Sequence, residues 1–493
     1  MKKVEEVFVT EGVPLYTFVK PPNYNNILVD IRKAGKPVII EGQSGTGKTT
    51  TAKKIIDEVA PTAEIEYLTA REKAHADIIE QYIDSSFPNN TLIFIDDFHR
   101  LPIDLQRKLG DIAKMAAEGG ESQKHPKLVI IGINQVGANL IQLVPDIAKR
   151  CGIHRIQSGN QEAIDYLVQN GCKELNINIY GHNQIFSEAK GDYWLAQHLS
   201  QEICLTNNIL QEQTSLVNVP YDIPGIRKAV VERLESSFYG PIKDFCRGKR
   251  PRRSNDPYFK LLKAVGEQDS SIVDLNEIAS NDEGIRGSIN NIKERRLTVL
   301  LNSKPSLQKH FFYSQESKWF AIEDPALFYF IKHLDWERLR TDCGFKRAAN
   351  TDREFDIAIS FAGENREFAR VLSEKLAILD ASVFYDEWYE NNYLGRTWSK
   401  EFKRIFSSDS WLVVCILDKN YSQKIWPTFE KECFLPRIAE GGVIPIELDN
   451  TIFVGIPKDL VKIVHRWDTM NPSWQNETED IALRIMERLD HVE

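Results

Sequence analysis

A glycine-rich octapeptide near the amino terminus has the residue types and spacing that hold a phosphate chain. Residues 42–49 read Gly-Gln-Ser-Gly-Thr-Gly-Lys-Thr and fit the pattern GxxxxGK(S/T). Glycines let the backbone wrap so that its N–H groups point at phosphate oxygens, while the lysine reaches the terminal phosphates and the threonine hydroxyl ligates Mg2+. The residues predicted to bind nucleotide here are Gly42, Gly45, Gly47, Lys48, Thr49 and Thr50.

Two adjacent carboxylates supply the second part of this chemistry. The apolar run 92–95 ends in Asp96 and Asp97. We expect Asp96 to hold the magnesium water shell with Thr49, and Asp97 to polarise an attacking water. The alternative is that the two aspartates only cap the end of a strand. The pattern predicts a site for ATP or ADP with Mg2+.

Two further polar residues are candidates for contact with the γ-phosphate. Asn134 follows the apolar run 128–131, and Arg150 closes the segment 146–150. Arg150 would read the γ-phosphate of its own site or complete the site of a neighbouring subunit. The alternatives are a solvated loop residue at position 134 and a surface arginine at position 150.

A tryptophan and a glutamate near the carboxyl end are spaced for one face of a helix. Trp426 and Glu430 are four residues apart, so their side chains would project to the same side. Taken alone, such a pair is usually a half-buried anchor beside a solvated charge. Its meaning depends on the elements that surround it.

The apolar residues predict a multidomain α/β chain with two parallel sheets. Continuous apolar runs separated by amphipathic stretches are typical of buried parallel strands joined by helices. The second sheet is expected to be flavodoxin-like in its order of elements. The runs are 37–40, 65–68, 92–95, 128–131 and 153–156 in the first sheet, and 355–361, 383–385, 412–417 and 443–448 in the second.

The region between the two sheets is predicted to be mainly helical. Residues 158–235 show no strand-like runs, and 249–257 form a basic, proline-interrupted connection. Three helical segments followed by a hairpin have the order of a winged helix. The predicted domains are 1–157 with the phosphate-binding loop, 158–240 as a helical lid, 241–337 as the winged helix, 338–354 as a linker and 355–493 as the second α/β domain.

Composition narrows the class of protein. A chain of 493 residues is too long for one core, and a net charge of -9 argues against a protein that mainly coats nucleic acid or an anionic membrane. Seven cysteines without a CxxC pair, and no leader or membrane-spanning run, predict a soluble cytoplasmic protein. The ten histidines show no metal-ligand spacing, so a metalloenzyme is not expected.

The order of motifs over residues 8–336 resembles the AAA-like and STAND signalling NTPases. In that family the winged helix usually packs on bound nucleotide and holds the molecule closed, and nucleotide exchange permits assembly. The resemblance therefore implies a homo-oligomer. This chain has no clear GxP motif in the lid and no histidine near Glu323, Asp324 and Pro325, so the residue that senses the nucleotide is not identified.

Residues 355–470 resemble TIR domains. The similarity is carried by five segments in the same order, 356–364, 383–386, 411–417, 422–430 and 443–446. In enzymatic TIR domains the glutamate matching Glu430 is catalytic, which implies cleavage of NAD+ to nicotinamide and ADP-ribose or a cyclic form. Because nicotinamide leaves as a neutral base from a cationic ring, one carboxylate that stabilises the oxocarbenium-like ribose suffices.

The same resemblance assigns the walls of an NAD+ pocket. Trp426 would exclude water and stack on a ring of the substrate. For the aromatic residues of the loop after the second strand, a core or interface role is the alternative, since this loop packs against the next TIR domain in many relatives. The residues assigned to NAD+ binding are Phe361, Ala362, Gly363, Asp386, Trp388, Trp398 and Trp426.

Three hypotheses about function follow. In the first, ATP binding and an unknown activating ligand assemble the TIR domains, which deplete NAD+ in bacterial antiviral defence. In the second, the TIR domain is a scaffold without activity, which retention of Glu430 disfavours. In the third, the chain is a winged-helix DNA-binding ATPase, with basic residues at Arg286, Lys293, Arg295, Arg296 and 249–253. The acidic total disfavours this last hypothesis.

Overall fold

The computed structural model describes most of the chain in two compact units. The first comprises 1–238, 269–272 and 322–333, and the second 239–268, 273–321 and 334–493. The described residues are 1–33, 35–59, 64–84, 91–119, 126–133, 144, 149–249, 256–345, 353–390, 395, 397–466 and 474–492.

Fifteen strands are described. They are β1 Val38–Glu41, β2 Glu64–Thr69, β3 Thr91–Asp96, β4 Lys127–Gly132, β5 Gly152–Arg155, β6 Ile177–Ile179, β7 Val217–Val219, β8 Ile272–Asp274, β9 Phe311–Ser314, β10 Trp319–Ile322, β11 Phe355–Ser360, β12 Val383–Phe384, β13 Ser410–Leu417, β14 Val443–Glu447 and β15 Ile463–Val464.

The α-helices alternate with the strands of both large sheets. They are α1 Val4–Val7, α2 Tyr24–Arg32, α3 Lys48–Val59, α4 Lys73–Asp84, α5 Ile103–Gly119, α6 Gln161–Leu175, α7 His182–Ala189, α8 Tyr193–Thr206, α9 Ile223–Cys246, α10 Pro257–Gly266, α11 Leu275–Asn281, α12 Glu283–Asn291, α13 Leu297–Ser303, α14 Pro325–Lys332, α15 Trp336–Cys343, α16 Arg366–Ile378, α17 Asp386–Tyr389, α18 Trp398–Ser407, α19 Ile425–Phe434 and α20 Trp474–Val492. No helix in the described part of the chain combines the length and the apolar character needed to cross a bilayer.

The first unit contains a five-stranded parallel sheet of order β2-β3-β4-β1-β5. Its strands lie within one residue of the five predicted runs, which confirms that part of the sequence interpretation. Alternate side chains face opposite cores, so Ile39 packs in one apolar cluster while Val38 and Ile40 pack in the other. This burial on both faces explains why β1 reads as a continuous apolar run.

The first unit also contains two short strands that were not predicted. Strands β6 and β7 pair in parallel within the region 158–235. The expectation that this region has no strand is therefore wrong. Each strand has three residues, which is shorter than the four to eight over which alternation is recognised.

The second unit contains a five-stranded sheet of order β12-β11-β13-β14-β15, and all its pairings are parallel. This strand order, 2-1-3-4-5, is the flavodoxin-like one, as the sequence predicted. Along β13, Leu412, Val414 and Ile416 pack into one core, while Val413 and Cys415 pack into the other. The edge strand β15 has two residues and was not predicted.

The remaining part of the second unit consists of helices and a small sheet. Residues 273–274, 311–314 and 319–321 of β8, β9 and β10 form a sheet of order β8-β10-β9. On the helical segment before it, Ile289 and Ile292 are buried, while Ile285 is half-buried. Helix α15 overlaps the start of the predicted linker 338–354, and residues 346–352 lie outside the described part.

Candidate functional sites

The phosphate-binding loop between β1 and α3 is shaped by glycine. Gly45 and Gly47 adopt φ angles of +78° and +84°, in the left-handed region that favours glycine. A Cβ atom at position 42 would lie 2.3 Å from the carbonyl oxygen of Ile156. The loop opens directly into α3, whose first N–H groups lack helical partners and are available to an anion.

The side chain of Lys48 folds back onto this loop. Its Nζ donates a hydrogen bond to the carbonyl oxygen of Gln43 at 2.6 Å. Removal from water lowers the pKa of Lys48 to about 8, against the opposing effect of Asp96, Asp97 and Asp192. Because phosphates would add negative charge, we expect nucleotide binding to raise this pKa again.

The donor set around Asp96 suits a hydrated magnesium ion. Asp96 Oδ2 accepts hydrogen bonds from Thr49 Oγ1 at 2.8 Å and from the Tyr67 hydroxyl. Oxygen ligands of this kind are the ones that Mg2+ prefers. Thr49 and Asp96, the two residues predicted to serve the metal, are therefore in contact. Thr50 follows on the first turn of α3 and is half-buried.

Asp97 has a strained backbone and a cationic partner. Its φ is 56°, which is uncommon for a residue other than glycine. Burial opposes ionisation of this carboxyl, but Arg71 outweighs that effect and holds the pKa below its usual range. Arg71 Nε and Nη2 donate to the two carboxylate oxygens at 3.2 and 3.1 Å. In this arrangement, Asp97 faces Arg71 and Thr69.

A buried glutamate that the sequence did not single out as a site residue closes this charge network. Glu323 accepts hydrogen bonds from Arg100 and lies 2.6 Å from Nε2 of His99. Its backbone oxygen accepts a hydrogen bond from the Ser44 hydroxyl of the phosphate-binding loop. Burial lowers the pKa of His99 below its usual range, against the opposing effect of Asp97. Glu323 thus links the loop to the segment after β3.

A second missed carboxylate lies against the phosphate-binding loop. Asp192 caps α8, accepting the Leu195 N–H at 2.9 Å. A Cβ atom at Gly45 would lie 2.0 Å from Asp192 Oδ2, so the carboxylate sits beside the loop backbone. Burial raises the pKa of Asp192 to about 6. Asp192 carries no sequence signal, because it comes from a segment far from the loop along the chain. Glu323 lies in the segment that the family resemblance indicated, but nothing in the sequence marked this side chain.

The two candidate γ-phosphate residues are not brought into this site by the described structure. Arg150 forms an ion pair of 3.0 Å with Glu118, and both side chains are well exposed. Asn134 lies outside the described residues.

The second unit has a large cavity at the carboxyl end of β11. Its volume is about 1130 Å3. Ligands of flavodoxin-like sheets bind at this end, where the strand order reverses. The cavity is lined by Ile359, Phe361, Gly363, Glu364, Arg366, Phe384, Asp386, Glu387, Glu390, Trp398, Phe402, Phe406, Gln423, Lys424, Pro427 and Glu430.

Glu430 projects from α19 into the wall of this cavity. Only 7% of its surface is exposed, and its Oε2 accepts a hydrogen bond from Ser360 Oγ at 2.5 Å. Burial raises the pKa of Glu430 to about 8, and the nearby charge of Asp386 adds to the effect. Among the described side chains, none forms an ion pair with Glu430. The carboxyl group of Glu430 is therefore desolvated and forms part of the cavity wall.

The other predicted NAD+ residues divide into two groups. Phe361, Gly363, Asp386 and Trp398 line the cavity with Glu430. Ala362 and Trp388 pack into the hydrophobic cores instead. The side chain of Trp426 is outside the described part of the structure.

Two cations that sequence reasoning missed also line the cavity. Arg366 lies 3.4 Å from Asp386 and over the ring of Phe361, and Lys424 forms an ion pair of 2.7 Å with Glu364. Carboxylates outnumber cations in the lining. The cavity lining therefore carries charges of both signs, with an excess of negative ones.

The basic residues behind the DNA-binding hypothesis are partly engaged within the protein. Arg286 donates to the carbonyl oxygens of Ala279 and Ser280, and Lys293 donates to Asn276. Arg296 is 4% exposed. Its guanidinium is therefore unavailable to an external phosphate backbone.

The chain is similar to one protein family in its first unit and to one curated protein over part of its length. Residues 38–146 match the family model of the AAA proteins, the ATPase family associated with various cellular activities. The 3′ cyclic ADP-D-ribose synthase AaTIR of Aquimarina amphilecti is 28% identical over 114 residues, which cover 22% of this chain and 35% of that protein. This chain thus spans about a third of the length of that curated relative.

Several solved structures are similar at 13–17% identity. The Walker-type ATPase PABY2304 of Pyrococcus abyssi has a TM-score of 0.40, covering 66% of this chain and 99% of that one. ORC1 of Aeropyrum pernix in complex with DNA has a TM-score of 0.39, covering 69% and 96%. Cdc6p of Pyrobaculum aerophilum has a TM-score of 0.34, covering 69% and 98%. Residues 38–146 are thus similar to AAA ATPases, and a stretch of 114 residues is similar to part of a 3′ cyclic ADP-D-ribose synthase.

Proposed function

We propose that this chain is a nucleotide-regulated signalling or defence protein whose residues 355–493 form a TIR domain that cleaves NAD+. The products are nicotinamide and either ADP-ribose or a cyclic form. The observation that carries the proposal is Glu430, a buried carboxyl group on the wall of a cavity of about 1130 Å3. The partial similarity to a cyclic ADP-ribose synthase supports the same proposal.

The chemistry needs little beyond this carboxylate. The bond between C1′ of the ribose and the nicotinamide nitrogen breaks, and both bonding electrons go to the nitrogen, so nicotinamide leaves uncharged. The ribose is left with oxocarbenium character, which Glu430 stabilises electrostatically. Attack by water at C1′ gives ADP-ribose and a proton. Attack by a nucleophile of the same molecule gives a cyclic product.

The cavity supplies complementary charge for the rest of the substrate. Arg366 and Lys424 would face the diphosphate, while Phe361 and Trp398 offer aromatic surfaces to the rings. A bound cationic nicotinamide ring would favour the ionised form of Glu430. Substrate binding therefore helps to generate the carboxylate that the reaction uses.

The AAA-type domain would control this activity through ATP, Mg2+ and homo-oligomer assembly. In the proposed cycle, Thr49 and Asp96 would hold Mg2+, which would balance phosphate charge, and Lys48 would exchange its hydrogen bond to Gln43 for one to the phosphates. An activating ligand of unknown chemistry triggers assembly through the NTPase and TIR domains. The proposed setting is antiviral defence by depletion of NAD+.

The test is an NAD+ turnover assay on the purified full chain, with and without ATP and Mg2+, while particle size is followed by light scattering. We expect turnover in assembled protein, and a loss of at least a hundredfold in Glu430→Gln. Glu432→Gln, an exposed position on the same helix, is the matched control. If assembled protein leaves NAD+ intact, or if Glu430→Gln keeps full turnover, the proposal is wrong.

A further inference from the structure

Three buried side chains from separate elements form a row that ends at Glu430. The Tyr421 hydroxyl lies 2.5 Å from Ser360 Oγ, and Ser360 Oγ lies 2.5 Å from Glu430 Oε2. Ser360 is the last residue of β11, Tyr421 begins the short 3-10 helix Tyr421–Gln423, and Glu430 is on α19. Ser360 and Tyr421 are both fully buried. The reaction proposed above does not use either hydroxyl.

When Glu430 is ionised, the donor and the acceptor of each hydrogen bond in this row are fixed. Burial raises the pKa of Tyr421 well above its ordinary value, so the phenol keeps its proton. In the described structure, Ser360 is the hydrogen-bond partner found for that hydroxyl. Tyr421 therefore donates to Ser360, and Ser360 donates its own proton to Glu430, because a carboxylate only accepts.

We infer that Ser360 and Tyr421 are positioning residues that hold Glu430 Oε2 and stabilise its charged form, leaving Oε1 for the sugar. This inference rests on the proposed function only in so far as NAD+ is the ligand. A serine that is itself polarised by a tyrosine is a stronger donor than an isolated hydroxyl. The hydrogen bonds of this row therefore lower the pKa of Glu430, whereas burial raises it.

Other groups around Glu430 do not provide that stabilisation. Asp386 faces it with a like charge, and Tyr421 is neutral. On its own helix, Cys433 is a neighbouring thiol whose pKa is raised by burial. Cys415 on β13, close to Tyr421, has its pKa raised by burial to about 12 and stays neutral. The remaining charged groups of the cavity are Glu364, Arg366, Glu387, Glu390 and Lys424, and the two cations among them pair with Asp386 and Glu364 rather than with Glu430.

The first readout is the ionisation of Glu430 itself, in the full chain without NAD+. Infrared difference spectra between the protein and its Glu430→Gln variant isolate the carboxyl band, which is followed against pH. We expect Ser360→Ala to raise the apparent pKa of Glu430 by about one unit and Tyr421→Phe by less. Ser360→Thr keeps the hydroxyl and is expected to restore the original value. Ser373→Ala removes a buried hydroxyl of α16 in the same domain and is the matched control.

The second readout is the pH dependence of kcat/KM for NAD+. A shift of one pKa unit predicts roughly a tenfold loss at pH 7 in Ser360→Ala that is recovered at high pH. A merely structural role would lower activity at every pH instead. Should Ser360→Ala fail to fold, Tyr421→Phe preserves the ring and tests the same row.

The two readouts separate two kinds of failure. If no variant cleaves NAD+ but the infrared pKa moves as expected, the proposed function is wrong and the positioning role stands. If the carboxyl band of Glu430 titrates identically in Ser360→Ala, Tyr421→Phe and the parent protein, the positioning role is refuted whether or not NAD+ is cleaved.

Discussion

Arg296 and Asp380 form a buried ion pair within the second unit. Arg296 Nε and Nη2 lie 2.9 and 2.8 Å from Asp380 Oδ1, and Nη2 also donates to the Asp380 backbone oxygen at 2.7 Å. The Tyr258 hydroxyl donates to the same carboxylate at 2.8 Å. Arg296 ends a π-helical segment, and Asp380 has a φ of 72°. The pair ties the loop after α16 to the helical segment before β9.

Removing one partner of this pair should destabilise the second unit. Asp380→Ala leaves Arg296 buried without its hydrogen-bonded counter-charge, and we expect a loss of about 3 to 5 kcal/mol. Asp380→Asn tolerates the left-handed backbone and should lose less. Urea unfolding of the full chain, followed by tryptophan fluorescence, measures the effect.

The control for this prediction is an exposed pair of the same domain. Arg370 and Glu374 are 2.9 Å apart on α16, and Arg370→Met should change stability by less than about 0.5 kcal/mol. Equal unfolding midpoints for Asp380→Ala and Arg370→Met would contradict a structural role for the buried pair.

The pH dependence of NAD+ cleavage should report the ionisation of Glu430. The carboxylate is the active form and burial raises its pKa to about 8, so kcat/KM should rise about tenfold per pH unit below that value. The rise of kcat with pH should occur at a lower pH than the rise of kcat/KM, because the bound cationic ring favours the carboxylate. Initial rates between pH 5.5 and 9 test this prediction, and a flat kcat/KM profile would exclude it.

The same carboxyl group should make stability fall as pH rises. Its pKa is raised from 4.5 to about 8 in the folded protein, so the folded state binds the proton more tightly than the unfolded state between these values. Stability from this group is fully present below about pH 4.5 and is lost as pH rises through 8.

Glu430→Gln removes that dependence. We expect the variant to be more stable than the parent at pH 8 by on the order of 4 kcal/mol, with the difference becoming small near pH 4.5. Thermal unfolding at both pH values measures it. A variant that is less stable than the parent at pH 8 would show that the side chain is held as a satisfied carboxylate.

Asp192 should weaken nucleotide binding above its pKa. Its carboxylate lies beside Gly45, and burial raises its pKa to about 6, so it becomes charged and repels phosphates as pH rises through that value. Asp192→Asn is expected to bind ADP several-fold more tightly at pH 7.5 and to lose the part of the pH dependence that the carboxylate causes. Calorimetric titration at pH 5.5 and 7.5 measures both effects.

Titration of the ADP phosphates is common to all variants and cancels in the comparison. Asp222→Asn, an exposed position of the same unit, is the control and should match the parent protein. Weaker ADP binding by Asp192→Asn would mean that this carboxylate supports the site.

Much of the scaffold was predictable from the chain alone. The pattern at 42–49 specifies a local loop, because glycines at 45 and 47 permit φ values that other residues avoid. Buried strands such as β1, β3 and β11 were located because apolar runs are themselves the signal for burial. The short strands β6, β7 and β15 were not predicted, because two or three residues are too few to show a periodic pattern of apolar side chains.

The environment of each functional group was decided by tertiary structure. Arg296 reads as one of several surface cations, yet packing buries it against Asp380, which is 84 residues away. Glu430 was identified as a candidate by the resemblance of residues 355–470 to TIR domains, but its raised pKa and its contact with Ser360 arise only when α19 packs on β11. Periodicity and turn preferences depend on neighbours along the chain and are legible in the sequence. Desolvation and charge pairing depend on what the folded chain brings alongside, and only the three-dimensional packing determines them.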